Sequence, residues 1–363
     1  VIVLAALALI VVGLSAIARG DELYNLGEFA PRQQLWAAMG AVVFLVASVW
    51  PYQRLRWISY PIYGVCLLLL VLVFFMPAKN YSHRWIPLGL MDFQPSEIAK
   101  LAFIAALARY LMNRESFRTW RGLVIPFLMA LIPIALILKE PDLGTALLFL
   151  PVLFAMLFAA GAKARHLAAV AMLGVLASPL LWMEMSAEQK SRIVSVFTQK
   201  TGGEAPRGDG YHLHQSKTVL ALGGIFGSEM TGMPIQSRRV YHLPESRTDF
   251  VFCLVGERWG LLGCLTVLIL YCVLFVRGLL IAGKTRDPYG RLLAVGIVAL
   301  IGSQVLINTA MTIGLLPITG MTLPLMSYGG SSLLTMCLAL GLLVNIAMRP
   351  MTDAVGEPFQ FAS

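Results

Sequence analysis

Long apolar runs constrain this chain before any other feature does. A helix that crosses a hydrocarbon core needs about 20 mostly apolar residues. Runs of that kind cover 1–18, 33–50, 58–76, 95–112, 122–138, 143–160, 166–183, 249–275, 292–313 and 330–348. Backbone polar groups in lipid must be satisfied within helices or a closed barrel. These runs are long and do not alternate, so barrel strands are excluded. The expected fold is an all-α integral membrane protein with about ten transmembrane helices, residues 1–363 forming a single polytopic membrane domain. Only 13% of the residues are charged, against about 25% in soluble domains. The opening VIVLAALALIVVGL reads as a first span with its start trimmed away, not as a cleavable signal. Pro126 and Pro133 are expected to bend the fifth span.

Lys and Arg gather on the cytoplasmic side of a membrane protein. With the amino terminus inside, segments 51–57, 113–121, 161–165, 276–291 and 349–363 hold twelve of them, and the short outside segments hold five. Both termini are therefore expected to be cytoplasmic. The net charge of +9 belongs to this asymmetry and not to a nucleic-acid surface. Residues 184–248 become one long extracytoplasmic loop between helices 7 and 8, a length typical of functional connections. Within it the apolar TVLALGGIFG is expected to dip into the membrane or lie on it. Cys66, Cys253, Cys264, Cys272 and Cys337 all fall in apolar runs without a CxxC pair and read as packing residues.

Ionisable residues inside spans are costly and mark sites by default. The fourth span begins QPSEIAKLAF, where Glu97 and Lys100 share a helix face and either neutralise each other or form a charged cleft wall. At the sixth, KEPDLGTAL, the helix dipole favours Glu140 and Asp142 as anions, and Asp142 serves as a cap or meets substrate. Gln304, Asn308 and Thr312 form one stripe, read as interhelical hydrogen bonding. Ser327, Tyr328, Gly329, Gly330 and Ser331 lead into the tenth helix, either as an anion site of backbone N–H groups or as an ordinary cap.

The stretch LPESRTDFVF carries the sharpest ambiguity. Ser246 and Asp249 fit a capping box before an apolar run. Asp249 also tops a stripe of small residues, Cys253, Gly256, Gly260 and Gly263, within about 40° of it on a helix. Such a face gives close packing or an open groove. A helix over 250–276 would be about 40 Å long, which places Asp249 at the outer interface. Its dipole should keep the carboxylate ionised.

RWIPLGLMDFQPSEIAKLA, KEPDLGTAL, GDGYHLHQSK, LPESRTDFVF and LPLMSYGGSSLL stand in the order and spacing of the SEDS family of bacterial cell-wall proteins, which the chain resembles along nearly its whole length. GYHLHQSK is more similar to the RodA branch than to the division-specific FtsW branch. The resemblance implies ten helices with cytoplasmic termini in the bacterial plasma (inner) membrane. It implies polymerisation of lipid II into glycan strands at the outer face, during elongation and rod-shape maintenance. It also implies a class B penicillin-binding protein, a transpeptidase, as partner within the elongation machinery. The family's essential aspartate falls on Asp249 of Thr248-Asp249-Phe250, with Glu97 and Lys100 facing it. A divalent cation, Mg or Mn, bound through Asp249 is a further implication. The chain departs from the family at Arg247, where His is common, at Glu257-Arg258, where an acidic pair is usual, and over LALGGIFGSEMTGMPIQSRR.

Glycan polymerisation needs a base for a sugar hydroxyl and cations or oriented donors for a departing pyrophosphate. Asp249 is the expected base. Lys100 is expected to hold it or to contact phosphate, and Lys217, Arg238, Arg239 and Arg247 are expected near the pyrophosphate. Two other classes stay open at this point: a flippase for the lipid-linked precursor, and a non-catalytic scaffold for the penicillin-binding protein.

Overall fold

The computed structural model describes residues 1–24, 29–76, 84–87, 89, 92–113, 119–199, 209–231, 243 and 245–349. In chain order its helices are α1 (Ile2–Tyr24), α2 (Phe29–Val49), α3 (Tyr52–Leu72), α4 (Pro95–Leu111), α5 (Trp120–Lys139), α6 (Leu143–Ala160) and α7 (Ala164–Glu184). They continue with α8 (Ala187–Phe197), α9 (Asp209–Leu222), α10 (Gly227–Thr231), α11 (Val251–Lys284), α12 (Pro288–Thr312) and α13 (Gly330–Met348). A two-residue antiparallel hairpin, β1 (Ile86–Pro87) with β2 (Asp92–Phe93), precedes α4.

Helices α1–α7 and α11–α13 fall on the apolar runs of the sequence. Eight of the described helices are long and apolar enough to cross a membrane. The two others on apolar runs are α4, with 17 residues, and α7, apolar over Ala164–Leu180. Helix α4 needs no lipid-facing stripe, because protein buries it on nearly every side. Its small face, Ala99, Ala102, Ala105, Ala106 and Ala108, lets α3, α12 and α13 approach. Helix α2 lies on α13, α1 on α11, and α12 on both α6 and α11.

Local signals set the helix ends. Asp287 accepts from Gly290 N at 2.9 Å, with Pro288 at the first helical position of α12. Gly161 closes α6 in the left-handed conformation, φ 96°. The described part of the connection 184–248 holds α8, α9 and α10 joined by turns. Ser186 and Gln189 form a reciprocal capping box that starts α8.

Helix α11 corrects the sequence reading in two ways. It runs 34 residues, to Lys284, and it is kinked at Gly260, with φ 65° and ψ −158°. The kink frees the N–H of Leu261, which donates to Gly224 O at 2.9 Å. The turn between α9 and α10 thus plugs into the broken helix. A Cβ on Gly260 would stand 2.4 Å from Ile225 O, and one on Gly223 would stand 1.8 Å from Gly256 O. The small stripe below Asp249 is therefore packed closely against the turn between α9 and α10, and a cavity of about 300 Å³ borders it at Gly224, Gly256 and Gly260. TVLALGGIFG is the stretch of chain that carries this turn.

Glu257 and Arg258 lock the same junction. Arg19 of α1 pairs with Glu257 at 3.1 Å, and Ser228 donates to Glu257 at 2.7 Å. Arg258 pairs with Glu229 at 2.6 Å and donates to Ser15 O at 2.8 Å. All five cysteines are free.

Candidate functional site

The ends of α4, α6, α12 and α13, the start of α8 and the turn before α11 surround one cavity of about 450 Å³, within the usual range for ligand sites. Glu97, Lys100, Asp142, Thr248, Asp249, Tyr328, Gly329 and Ser331 line it together. They come from segments more than 230 residues apart in sequence, as the Gln94–Ser331 separation of 237 illustrates.

Asp249 does not cap α11. That helix begins at Val251 with Phe250 at its cap position and no side-chain cap bond, so the capping box is not formed. Asp249 ends a tight turn in which the N–H groups of Thr248, Asp249 and Phe250 all donate to Glu245 O, at 3.2, 3.0 and 3.3 Å. Phe250 anchors the turn from below in an apolar cluster with Val219, Leu243 and Cys253. From the side, Asn308 Nδ2 donates to Asp249 O at 2.9 Å and to Met321 O at 2.6 Å. Opposite stands Gly320, φ 71°, where a Cβ would lie 3.6 Å from Asp249 Oδ2. The half-buried carboxylate is pushed up to about 7, first by burial, then by Glu245 and Asp142, against the Thr248 hydrogen bond and the Arg192 cation. This overturns the expectation that a helix dipole holds it firmly ionised, because it lies outside the helix.

Lys100 and Glu97 pair at 2.9 Å, both buried in the cavity wall. Their two readings coincide, since the pair is internal and still faces the cavity. Asp142 likewise does both things. Its Oδ1 accepts from Thr145 N at 3.1 Å as the cap of α6, and its Oδ2 accepts from Gln94 Nε2 at 3.4 Å across the cavity. Glu140 behind it is fully buried, and burial with the Asp142 charge pushes its carboxyl up to about 8. Glu140 is therefore neutral near pH 7, contrary to the dipole argument.

Several expected cations lie elsewhere. Arg247 turns away from the cavity. It pairs with Asp21 at 3.1 Å, donates to Gly20 O at 3.1 Å and sits 4.4 Å over the Phe29 ring. Its length and charge bridge α1 to the start of α2, so it is a pillar of the fold. Lys217 donates to Gln199, which reaches Gly314 O at 2.8 Å, and so braces α9 against the end of α12. Arg238 and Arg239 lie outside the described residues. Ser327 and Gly330 also leave the site. Ser327 Oγ accepts from Leu323 N at 2.7 Å inside its own loop, and Gly330 packs against the Trp36 ring. Tyr328 N donates to Arg247 O at 2.9 Å and Gly329 N to Gln33 Oε1 at 3.2 Å, so these two N–H groups serve the loop.

The cations that do face the cavity with Lys100 are Arg84 and Arg192. Arg84 is held by the carbonyls at the end of α5, donating to Glu140 O at 2.7 Å and to Pro141 O. Arg192 comes from α8, whose capping box was readable as S-x-x-Q ahead of IVSVF. Glu245, Thr319 and Thr322 complete the wall without any signal in the sequence. Gln304 joins them, its Nε2 donating to Thr322 O at 2.9 Å. The stripe Gln304 and Asn308 thus binds loop carbonyls rather than neighbouring helices. Thr312 donates within its own helix, to Thr309 O at 2.7 Å. Among the described residues no three His, Cys, Asp or Glu side chains converge as a cation site.

The family described as "Cell cycle protein" (FtsW, RodA, SpoVE) matches residues 1–351. The chain is 37% identical over 327 residues to "Stage V sporulation protein E" of Bacillus subtilis (strain 168), covering 88% of this chain and 87% of the relative. It is 36% identical over 327 residues to "Probable peptidoglycan glycosyltransferase FtsW" of Geobacter metallireducens, covering 88% and 85%. A solved structure described as "Structural coordination of polymerization and crosslinking by a peptidoglycan synthase complex" is similar at a TM-score of 0.82 and 30% identity, covering 97% of this chain and 98% of that one. A polytopic helical membrane protein with these motifs around one cavity, matched over this length, belongs to the FtsW/RodA/SpoVE family, the SEDS proteins.

Proposed function

We propose that this chain is a peptidoglycan glycosyltransferase that polymerises lipid II into glycan strands at the outer face of the bacterial plasma membrane. One observation carries the reading: Asp249, Glu97, Lys100 and Asp142 meet at a single polar cavity built from helix ends and connections. The names of the relatives and the charge asymmetry of the short connections support it.

The reaction joins a sugar hydroxyl to an anomeric carbon while polyprenyl pyrophosphate departs. Asp249, poised near neutrality, takes the hydroxyl proton as the bond forms. Lys100, Arg84 and Arg192 balance the charge that develops on the pyrophosphate. The Glu97 carboxylate holds Lys100 in the wall.

The role in elongation rests on GYHLHQSK, and a class B penicillin-binding protein as partner is supported by the solved synthase complex that the chain resembles. A flippase would need polar access from both membrane faces, whereas the polar wall here is built from one set of helix ends. Purified protein in vesicles with lipid II on the cavity side is expected to make glycan strands without moving lipid II across. Translocation without polymerisation would overturn the proposal in favour of the flippase.

A further inference from the structure

Trp85 lines the cavity beside Arg84 and is only half-buried. Other tryptophans of the chain have a partner for the ring. Trp36 packs on Tyr328 at 4.9 Å and Trp120 on His166 at 4.5 Å, while Trp57 and Trp259 lie under Arg56 and Arg258 at 5.3 and 5.0 Å. Among the described residues no ring or guanidinium covers Trp85.

The backbone on either side of this uncovered indole is fixed. Before it, Arg84 donates to Glu140 O at 2.7 Å and to Pro141 O. After it, Ile86 and Pro87 pair with Phe93 and Asp92 in the hairpin. One hydroxyl fastens the hairpin to α13: Ser331 Oγ donates to Asp92 O at 2.9 Å and accepts from Gln94 N at 3.1 Å. The chain thus holds an aromatic group at the cavity without removing it from water. A ligand that covers the ring gains from burying it and finds it already in place.

The rest of the wall narrows the class of ligand. A hydrocarbon chain would strip water from Glu97, Lys100 and Asp142 and bond none of them. A pyranose suits both parts of the wall. Its hydroxyls bond the polar groups, and the C–H groups of one face meet the electron-rich face of an aromatic ring. We infer that Trp85 is a substrate-binding residue whose indole stacks on the C–H face of a sugar ring of the lipid-linked substrate. The inference rests on the glycosyltransferase reading and names the part of the substrate that this side of the cavity takes.

The test follows tryptophan emission and turnover with two probes: lipid II, and a polyprenyl pyrophosphate with the same chain and no sugar. Lipid II is expected to shift the emission of wild-type protein and the sugar-free pyrophosphate to leave it in place. The shift should vanish in Trp85→Phe. In kinetics, KM for lipid II is expected to rise about twofold in Trp85→Phe, which keeps a smaller ring, and about tenfold in Trp85→Leu, which keeps none, with the loss on KM rather than kcat. An equal emission shift with the sugar-free pyrophosphate assigns the ring to the prenyl chain or the phosphates and overturns the inference. A shift that persists in Trp85→Phe overturns it too, as does a lower melting temperature in Trp85→Leu with KM unchanged. Absence of glycan strands from wild-type protein would count against the glycosyltransferase reading instead. The emission shift needs binding and no turnover, so it still decides whether the ring meets a sugar.

Discussion

The side-chain amide of Asn308 ties the backbone carbonyl of Asp249 to that of Met321, at 2.9 and 2.6 Å. This fixes the distance between the acidic turn and the loop that carries Gly320. Asn308 is fully buried, so removing it strands two carbonyls at about 1–3 kcal/mol. Asn308→Ala is expected to lower stability by that order. It should also cut kcat about tenfold to a hundredfold, as small misplacements of reacting groups do. Thermal unfolding and turnover on lipid II measure the two effects, and unchanged kcat would show that Asp249 needs no such support.

Turnover should follow the ionisation of Asp249. Its carboxyl is pushed up to about 7, so the base form dominates above that pH, and kcat is expected to fall about tenfold per unit below it. Stability runs the opposite way. The unfolded chain ionises this group near pH 4, while the folded chain resists until about 7. The native state therefore loses stability as pH rises through that window and is flat above it. Asp249→Asn should remove this penalty and match or exceed the wild-type melting temperature at pH 8. A pH profile without an acidic limb near 7 would contradict the assignment.

Charge removal separates site cations from structural ones. Arg84→Gln and Arg192→Gln are expected to lower kcat/KM at least about tenfold, since charge-assisted contacts to phosphate are among the stronger hydrogen bonds. Arg247→Ala should act on folding instead. It leaves Asp21 buried without its ion-pair partner, a change of about 3–5 kcal/mol. Lys217→Ala should leave kcat/KM near the wild-type value. Comparing melting temperatures with kinetics sorts the four variants, and a kinetic defect in Lys217→Ala at normal stability would reverse the sorting.

Gly320→Ala tests the width of the site. The residue has φ 71°, and its added Cβ would stand 3.6 Å from Asp249 Oδ2. Backbone strain and lost space act together, so turnover is expected to drop well before binding of the partner protein does. Equal loss of both would mean that the substitution unfolds the loop.

Apolar runs made the membrane helices legible because lipid demands a length and a composition. Helix α4 was legible as a run but is buried in protein on nearly every side, which suits its alanines and its charged pair. Glu97 and Lys100 were visible through their spacing, and Asp249 through its motif. What sequence hid was direction. Arg247 is one residue from Thr248 and two from Asp249, yet Asp21 and Phe29 draw it to the opposite side of the turn. Arg192 and Gln304 enter the cavity from helices whose packing is set by contacts far away in the chain. The stripe of small residues under Asp249 fitted a groove and a seam equally well, and the structure has both, a close contact at the Gly260 kink and a cavity of about 300 Å³ beside Gly256 and Gly260.

The most direct measurement gives purified Asp249→Asn protein, folded by its melting temperature, the same lipid II and partner as wild type. Glycan strands are expected from wild type and none from the variant. Strands made by the variant at the wild-type rate would contradict the central claim that Asp249 takes the proton.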